Sequence, residues 1–141
     1  MVSSYPAVFI KEADGGYSVI FPDLDGASTC GDTLDDAMAM AIDCMAGILS
    51  TLSEDGEKPP VPSALNDISP QDVADKLDDT YQEAFTTLVA VDVHEYAEQH
   101  FNRSVRKTVT IPKWMNDTAI AKGINFSQTL QNALRAEFNK I

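Results

Sequence analysis

Ser104-Val-Arg-Lys-Thr-Val-Thr-Ile-Pro112 alternates, with Val105, Lys107, Val109 and Ile111 on one side and Arg106, Thr108 and Thr110 on the other. That is the period of a β-strand. Pro112 ends the strand and is suited to the first position of a helix. Trp114, Met115, Thr118 and Ala119 then share one side of a short helix that stops at Lys122-Gly123. The glycine there suits a left-handed helix cap. Asn125 and Gln128 have capping-box spacing for a second helix, whose apolar stripe is Phe126, Leu130, Ala133, Leu134 and Phe138.

One strand and two short helices bury too little surface to fold alone, since chains below roughly 40 residues usually need outside help. A lone strand also leaves both edges unpaired. Pairing with the same strand of a second copy answers both problems: an antiparallel ribbon forms, and four helices close a core around Val109, Ile111, Met115, Leu130 and Leu134. The opposite face then presents Arg106, Thr108 and Thr110. A twisted two-stranded ribbon fits the major groove of double-stranded DNA, where Arg and Thr can read base edges. Lys107 and the second helix's first amides, at Asn125, Phe126 and Ser127, are placed for phosphates.

Upstream, Tyr5-Pro-Ala-Val-Phe-Ile-Lys-Glu12 predicts a strand. Asp14-Gly-Gly predicts a turn, and Tyr17–Phe21 a second strand ended by Pro22. A turn at residues 23–26 leads to a third strand over Ala27–Gly31, giving an antiparallel meander. Thr33 is a good helix cap, with Asp35 and Asp36 in the first turn. Leu34, Met38, Ala41, Met45, Ile48, Leu49 and Leu52 predict one long amphipathic helix over about 34–52. Residues 54–62, with three prolines, form a loop. Ser69-Pro70 is a helix start, but the helix it opens is short and weakly apolar. Residues 85–93 predict a strand able to join the sheet, and 95–101 a helical turn leading to a linker near Asn102. The fold class is therefore α+β, with a front domain over 1–102 and a tail domain over 103–141.

Composition supports a folded protein: 44% of the 141 residues are hydrophobic and 23% charged, which excludes wholesale disorder. No uninterrupted apolar run approaches the roughly 20 residues that span a bilayer, and Met1-Val-Ser-Ser-Tyr-Pro does not read as a secretory signal. Two cysteines are too few for a disulfide scaffold, so a reduced, cytoplasmic setting is expected. The net charge of −12 averages two unlike parts. In residues 1–102, Lys11, Lys58 and Lys76 stand against 20 acids, a balance of −17; residues 103–141 carry seven bases against two acids, a balance of +5. Such asymmetry predicts a basic partner for the front and a polyanion for the tail, against the plainer reading of a solubilising acidic surface.

The tail resembles a ribbon-helix-helix DNA-binding domain, in the order strand, Pro, helix, Gly, capped helix. The front resembles the HicB antitoxin family through Tyr5-Pro-Ala-Val-Phe, Asp14-Gly-Gly-Tyr, Phe21-Pro-Asp-Leu-Asp-Gly and Thr29-Cys-Gly-Asp-Thr-Leu-Asp-Asp-Ala37. The two resemblances cover about residues 4–53 and 104–141. They imply a partial ribonuclease-H-like sheet with helices in front, which masks a HicA-like mRNA-cleaving toxin, and a tail that represses the shared promoter by binding operator DNA. They imply a homodimer through the tail, with a tetramer open to it, and no catalysis, metal or cofactor. An acidic front suits a basic RNA-binding partner. A ribbon-helix-helix repressor with an acidic sensory domain and no toxin partner is the alternative.

Other constellations have plainer readings. Asp14, Asp23, Asp25, Asp32, Asp35 and Asp36 suggest a metal-dependent nuclease only if several converge on rigid strands; most occupy turns or a helix start. His94 and His100 are six apart, not the four of the zinc-protease helix, and are expected at the surface. Cys30 and Cys44 are expected as buried free thiols. Ser104 and Ser127 suit strand-edge and capping roles, and Trp114 and Phe126 core packing.

Overall fold

Val2–Lys11 forms β1, in which Tyr5 through Ile10 are buried without a break. An uninterrupted buried run means that both faces of the strand are covered. β1 lies second from one edge of a four-stranded antiparallel sheet that also contains β2 (Tyr17–Phe21), β3 (Ala27–Gly31) and β4 (Glu83–Asp92), in the order β3-β2-β1-β4. β1 pairs with β2 from Val8↔Ile20 to Lys11↔Tyr17, and with β4 over ten consecutive positions from Val2↔Asp92 to Lys11↔Glu83. β1 thus begins three residues before the expected strand, because β4 extends its ladder to Val2.

These assignments come from a computed structural model that describes residues 1–77, 80–101 and 104–140. The chain divides into a front unit, Met1–Arg103, and a tail unit, Ser104–Ile141. The expected boundary at residues 102 and 103 lies outside the described residues.

On one face of the sheet, Tyr5, Ala7, Phe9, Val19, Phe21 and Val89 pack against helix α1 (Leu34–Glu54), which contributes Ala37, Ala41, Met45 and Leu49. Phe9 has no exposed surface and stacks on Phe85 at 5.4 Å. Thr33 caps α1 by accepting from Asp36 N–H at 3.1 Å, as its position predicts. Leu34, expected on the apolar stripe, is instead 42% exposed at the first position of the helix. Gly31 lets α1 sit tight on β3: a Cβ there would stand 2.3 Å from Ala37 N. Among the described helices α1 alone has the length and hydropathy to cross a bilayer. Its packing against the sheet and its Asp35, Asp36 and Asp43 identify it as the core helix.

Val8, Ile10 and Ile20 project from the other face, where Ala74 of α2 (Pro70–Asp75) and Ile68 cover them. Ser69 caps α2 through Asp72 N–H at 3.3 Å, and Pro70 opens it. The proline-rich segment that reaches this face is tied by two long-range contacts. Tyr5 Oη donates to Pro60 O, and Asp23 accepts from both Ser63 N–H (2.9 Å) and Ser63 Oγ (2.6 Å). A 3₁₀ turn over Leu65–Asp67 follows beside β4.

β4 runs straight into helix α3 (Val93–His100), with Asp92 as its cap, accepting from Glu95 N–H at 3.1 Å. The sequence reading placed Val93 in the strand, but the Asp92 cap turns the chain one residue earlier. α3 packs on α1, and Tyr96 Oη donates to Asp43 Oδ1 at 3.0 Å.

Candidate functional site

In the tail unit, residues 104–112 enter no helix and pair with no strand among the described residues. The expected strand over 104–111 therefore has no ladder in the single chain. Arg106, Lys107, Thr108 and Thr110 are all exposed along it. Helix α4 (Lys113–Ala121) starts after Pro112, whose carbonyl accepts from Met115 and Asn116 N–H. Lys113 Nζ meets Asp117 Oδ2 at 2.7 Å one turn on. Gly123, at φ +66°, closes the helix in the left-handed conformation that its position predicts.

Helix α5 (Phe126–Phe138) begins at Asn125, whose side chain accepts from Gln128 N–H at 3.0 Å. Only half of the expected capping box forms among the described residues: no bond from Asn125 N–H to Gln128 Oε1 accompanies the cap, and Gln128 Nε2 donates forward to Asn132 Oδ1 at 2.9 Å. With Gln128 N–H taken by the cap, the N–H groups of Phe126 and Ser127 remain at the open end, where helix geometry gives them no partner in the preceding turn. Ser127 Oγ accepts from Gln131 Nε2 at 3.4 Å.

The apolar stripe of the tail is open in the single chain. Val109 is 59% exposed, Leu134 43%, and Ile111, Met115, Phe126 and Leu130 lie between 37 and 45%. Trp114, expected in a core, is 66% exposed. Among the described tail residues only Ala119 is buried.

Several of the front unit's acids have structural roles. Asp14 Oδ1 accepts from Gly16 N–H at 2.9 Å in the β1–β2 turn, Asp23 holds Ser63, and Asp35 and Asp36 occupy the first turn of α1. Among the described residues, no three His, Cys, Asp or Glu side chains gather as a metal site would require. His94 lies 3.1 Å from Glu98, and His100 stacks on Tyr96 at 3.9 Å; both are exposed, as expected. Cys30 corrects the sequence reading. It lies on β3, an edge strand, and is exposed rather than buried. Cys44 is half-buried, and burial, then the nearby Asp43 charge, pushes its thiol above the ordinary range, away from nucleophilic reactivity.

The sequence reading named no contact residue in the front unit. The feature it missed is the outer edge of β4, where Leu88 is 50% exposed and Ala90 is exposed beside it on the same face. The uncharged run from Ala84 to Val91 was visible in the sequence, but only the strand order puts it at an edge.

An acidic sheet-and-helix unit followed by a short basic helical pair is the class of protein that these observations define. The chain belongs to the family described as HicB_like antitoxin of bacterial toxin-antitoxin system, whose model matches residues 5–133 and so runs through both units. It is 39% identical over 61 residues to Antitoxin HicB 1 of Photorhabdus laumondii subsp. laumondii, and 39% identical over 62 residues to Antitoxin HicB of Escherichia coli strain K12. Those matches take in 43 and 44% of this chain, and 39 and 45% of the relatives. The chain thus spans less than half the length of the curated relatives it matches. A chain of the structure titled Toxin-Antitoxin complex from Streptococcus pneumoniae is similar over nearly everything: 97% of this chain and 99% of that one, at 34% identity and a TM-score of 0.62.

Proposed function

We propose that this chain is the antitoxin of a type II toxin–antitoxin pair, acting by binding rather than by catalysis. The front unit captures and masks a small, basic HicA-like toxin in the cytoplasm. The observation that carries this reading is the family match from Tyr5 to Ala133, which takes in the acidic front and the basic tail together. The charge balance supports it, since an acidic surface speeds capture of a basic RNA-binding protein.

The tail is the dimerisation and operator-binding unit. Its open stripe at Val109, Ile111, Met115, Leu130 and Leu134 closes against a second copy when residues 104–111 pair as a ribbon, and dimers can join further into tetramers. Arg106, Thr108 and Thr110 face base edges in the operator. Lys107 and the α5 start at Asn125, Phe126 and Ser127 hold phosphates, using the N–H groups left open there. Repression of the shared promoter then tracks the supply of free antitoxin.

The test is growth rescue. The full chain is co-expressed with the small basic protein encoded beside it, whose expression alone stops growth. Restored growth, with a co-purifying complex, is the expected outcome. Continued arrest with a folded, abundant antitoxin would overturn the reading, and a neighbour without toxicity would favour a repressor with a sensory front unit.

A further inference from the structure

The two edges of the front sheet are not alike. β3 is five residues long, whereas β4 is ten and pairs with β1 at every position. Proteins usually blunt an exposed edge strand with proline, lysine, a bulge or brevity. β4, Glu83-Ala-Phe-Thr-Thr-Leu-Val-Ala-Val-Asp92, has no proline or lysine, and no charge between its ends. Its register with β1 is unbroken. Among the described residues no strand lies on its outer side. Among the described residues, Gln71 Nε2 donates to Ala84 O at 3.4 Å at one end, and the 3₁₀ turn over Leu65–Asp67 lies beside the strand.

α2 covers the sheet face around Ile10 and Ala84 but leaves Leu88 and Ala90 exposed farther along β4. An apolar edge with no paired strand is therefore continuous with an apolar patch. The frame around it is acidic. Glu83 and Asp92 end the strand, and Asp67, Asp72 and Asp75 are exposed on the flanking 3₁₀ turn and α2. The opposing cations are Lys11, in register with Glu83, the exposed Lys76 that caps the end of α2, and the terminal ammonium on Asp92.

We propose that the outer edge of β4 receives a strand of a basic partner protein, with Leu88 at the centre of the contact. Main-chain hydrogen bonds of the added strand supply affinity, and basic residues at its ends meet the acidic frame. A second copy of this chain fits the edge less well. Two-fold pairing centred between Thr87 and Leu88 sets Asp92 directly opposite Glu83, and like charges so placed destabilise a sheet. The assignment rests on the antitoxin reading for the identity of the basic partner.

The experiment uses the full chain and the co-encoded basic toxin, with binding measured by titration calorimetry. Leu88→Lys is expected to weaken binding at least tenfold, and Leu88→Glu to weaken it less, because glutamate loses the apolar contact but still meets the partner's basic residues. Ala90→Lys is a second variant at a site where a folding defect is not expected, and circular dichroism checks all three. Unchanged binding by both lysine variants would overturn the assignment. Equal loss with lysine and glutamate, accompanied by a smaller assembly of the chain by itself, would assign the edge to a second copy instead. A wild-type chain that binds no toxin would remove the antitoxin reading and this assignment with it; tight wild-type binding that ignores Leu88 and Ala90 removes this assignment alone.

Discussion

The front and tail units use the same kind of sequence pattern with opposite results. In the front, Tyr5 through Ile10 alternate between two faces, and a helix covers each side of that run, so all six are buried. In the tail, Leu130, Leu134 and Phe138 recur at helical spacing just as cleanly, yet they stay 37, 43 and 77% exposed. Periodicity says which side chains share a face. Whether that face closes depends on how much chain is available to cover it, and a tail of about 38 residues has little. The units also differ in what holds each helix. α1 has a cap and a core, whereas α5 has the Asn125 cap and side-chain pairs along its surface.

Natural probes separate the units: Trp114 is the sole tryptophan and lies in the tail, while all four tyrosines lie in the front. The largest effect is expected from Phe9→Ala. It empties a fully buried site beside Phe85 and should cost the front unit about 3–5 kcal/mol, read from the tyrosine signal in urea. Leu130→Ala is its counterpart. In a shared dimer core it should make the tryptophan transition strongly dependent on protein concentration and shift the chain toward monomer, while the tyrosine transition stays put. A concentration-independent tryptophan transition that hardly moves would mean that the tail folds alone with its stripe in water.

Arg106→Ala sharpens the same comparison with a smaller effect. Arg106 is exposed, so its loss should leave both unfolding transitions and the proposed dimer intact. Specific operator binding should weaken by roughly 1–3 kcal/mol in gel-shift titration, and toxin binding should not change. Wild-type operator affinity should itself fall steeply as salt rises, because phosphate neutralisation releases counterions. Equal operator affinity of wild type and variant would remove Arg106 from the interface.

Much of the front unit was legible because its signals are local. Tyr17–Phe21 and Ala27–Gly31 are strands within the expected bounds, and Thr33, Ser69 and Asn125 cap the helices that their positions announce. The illegible parts depend on distant partners. Asp23–Ser63 and Tyr5–Pro60 join residues 40 and 55 positions apart and leave no periodic trace. Cys30 looked buried by residue type, but β3 alternates: Ser28 and Cys30 are exposed, while Ala27, Thr29 and Gly31 on the other side are half-buried. Val93 looked like strand because it is β-branched, whereas the Asp92 cap decides its helical conformation. In the tail, alternation over 104–111 was plain, but among the described residues the segment pairs with no strand, since a ladder needs a partner that periodicity does not name.

The smallest expected effect concerns the β4–α3 junction. Asp92 accepts a hydrogen bond from the terminal ammonium at 2.8 Å and another from Glu95 N–H at 3.1 Å. The first and then the second hold its carboxyl below the ordinary value of 3.8. A carboxyl with a lowered folded-state value stabilises the fold above its unfolded value, and that contribution disappears as pH falls through the folded one. The front unit should therefore lose a little stability between about pH 4 and the lower folded value, and salt should shrink the effect because the pair is exposed. Asp92→Asn keeps a side-chain oxygen for Glu95 N–H, so α3 should persist while the carboxylate contribution vanishes. The tyrosine transition should then show a shallower acid dependence in the variant than in the wild type, with the tryptophan transition unaffected. Equal acid slopes would show that the Asp92–ammonium contact adds nothing to the folded state. The cap alone would then join β4 to α3.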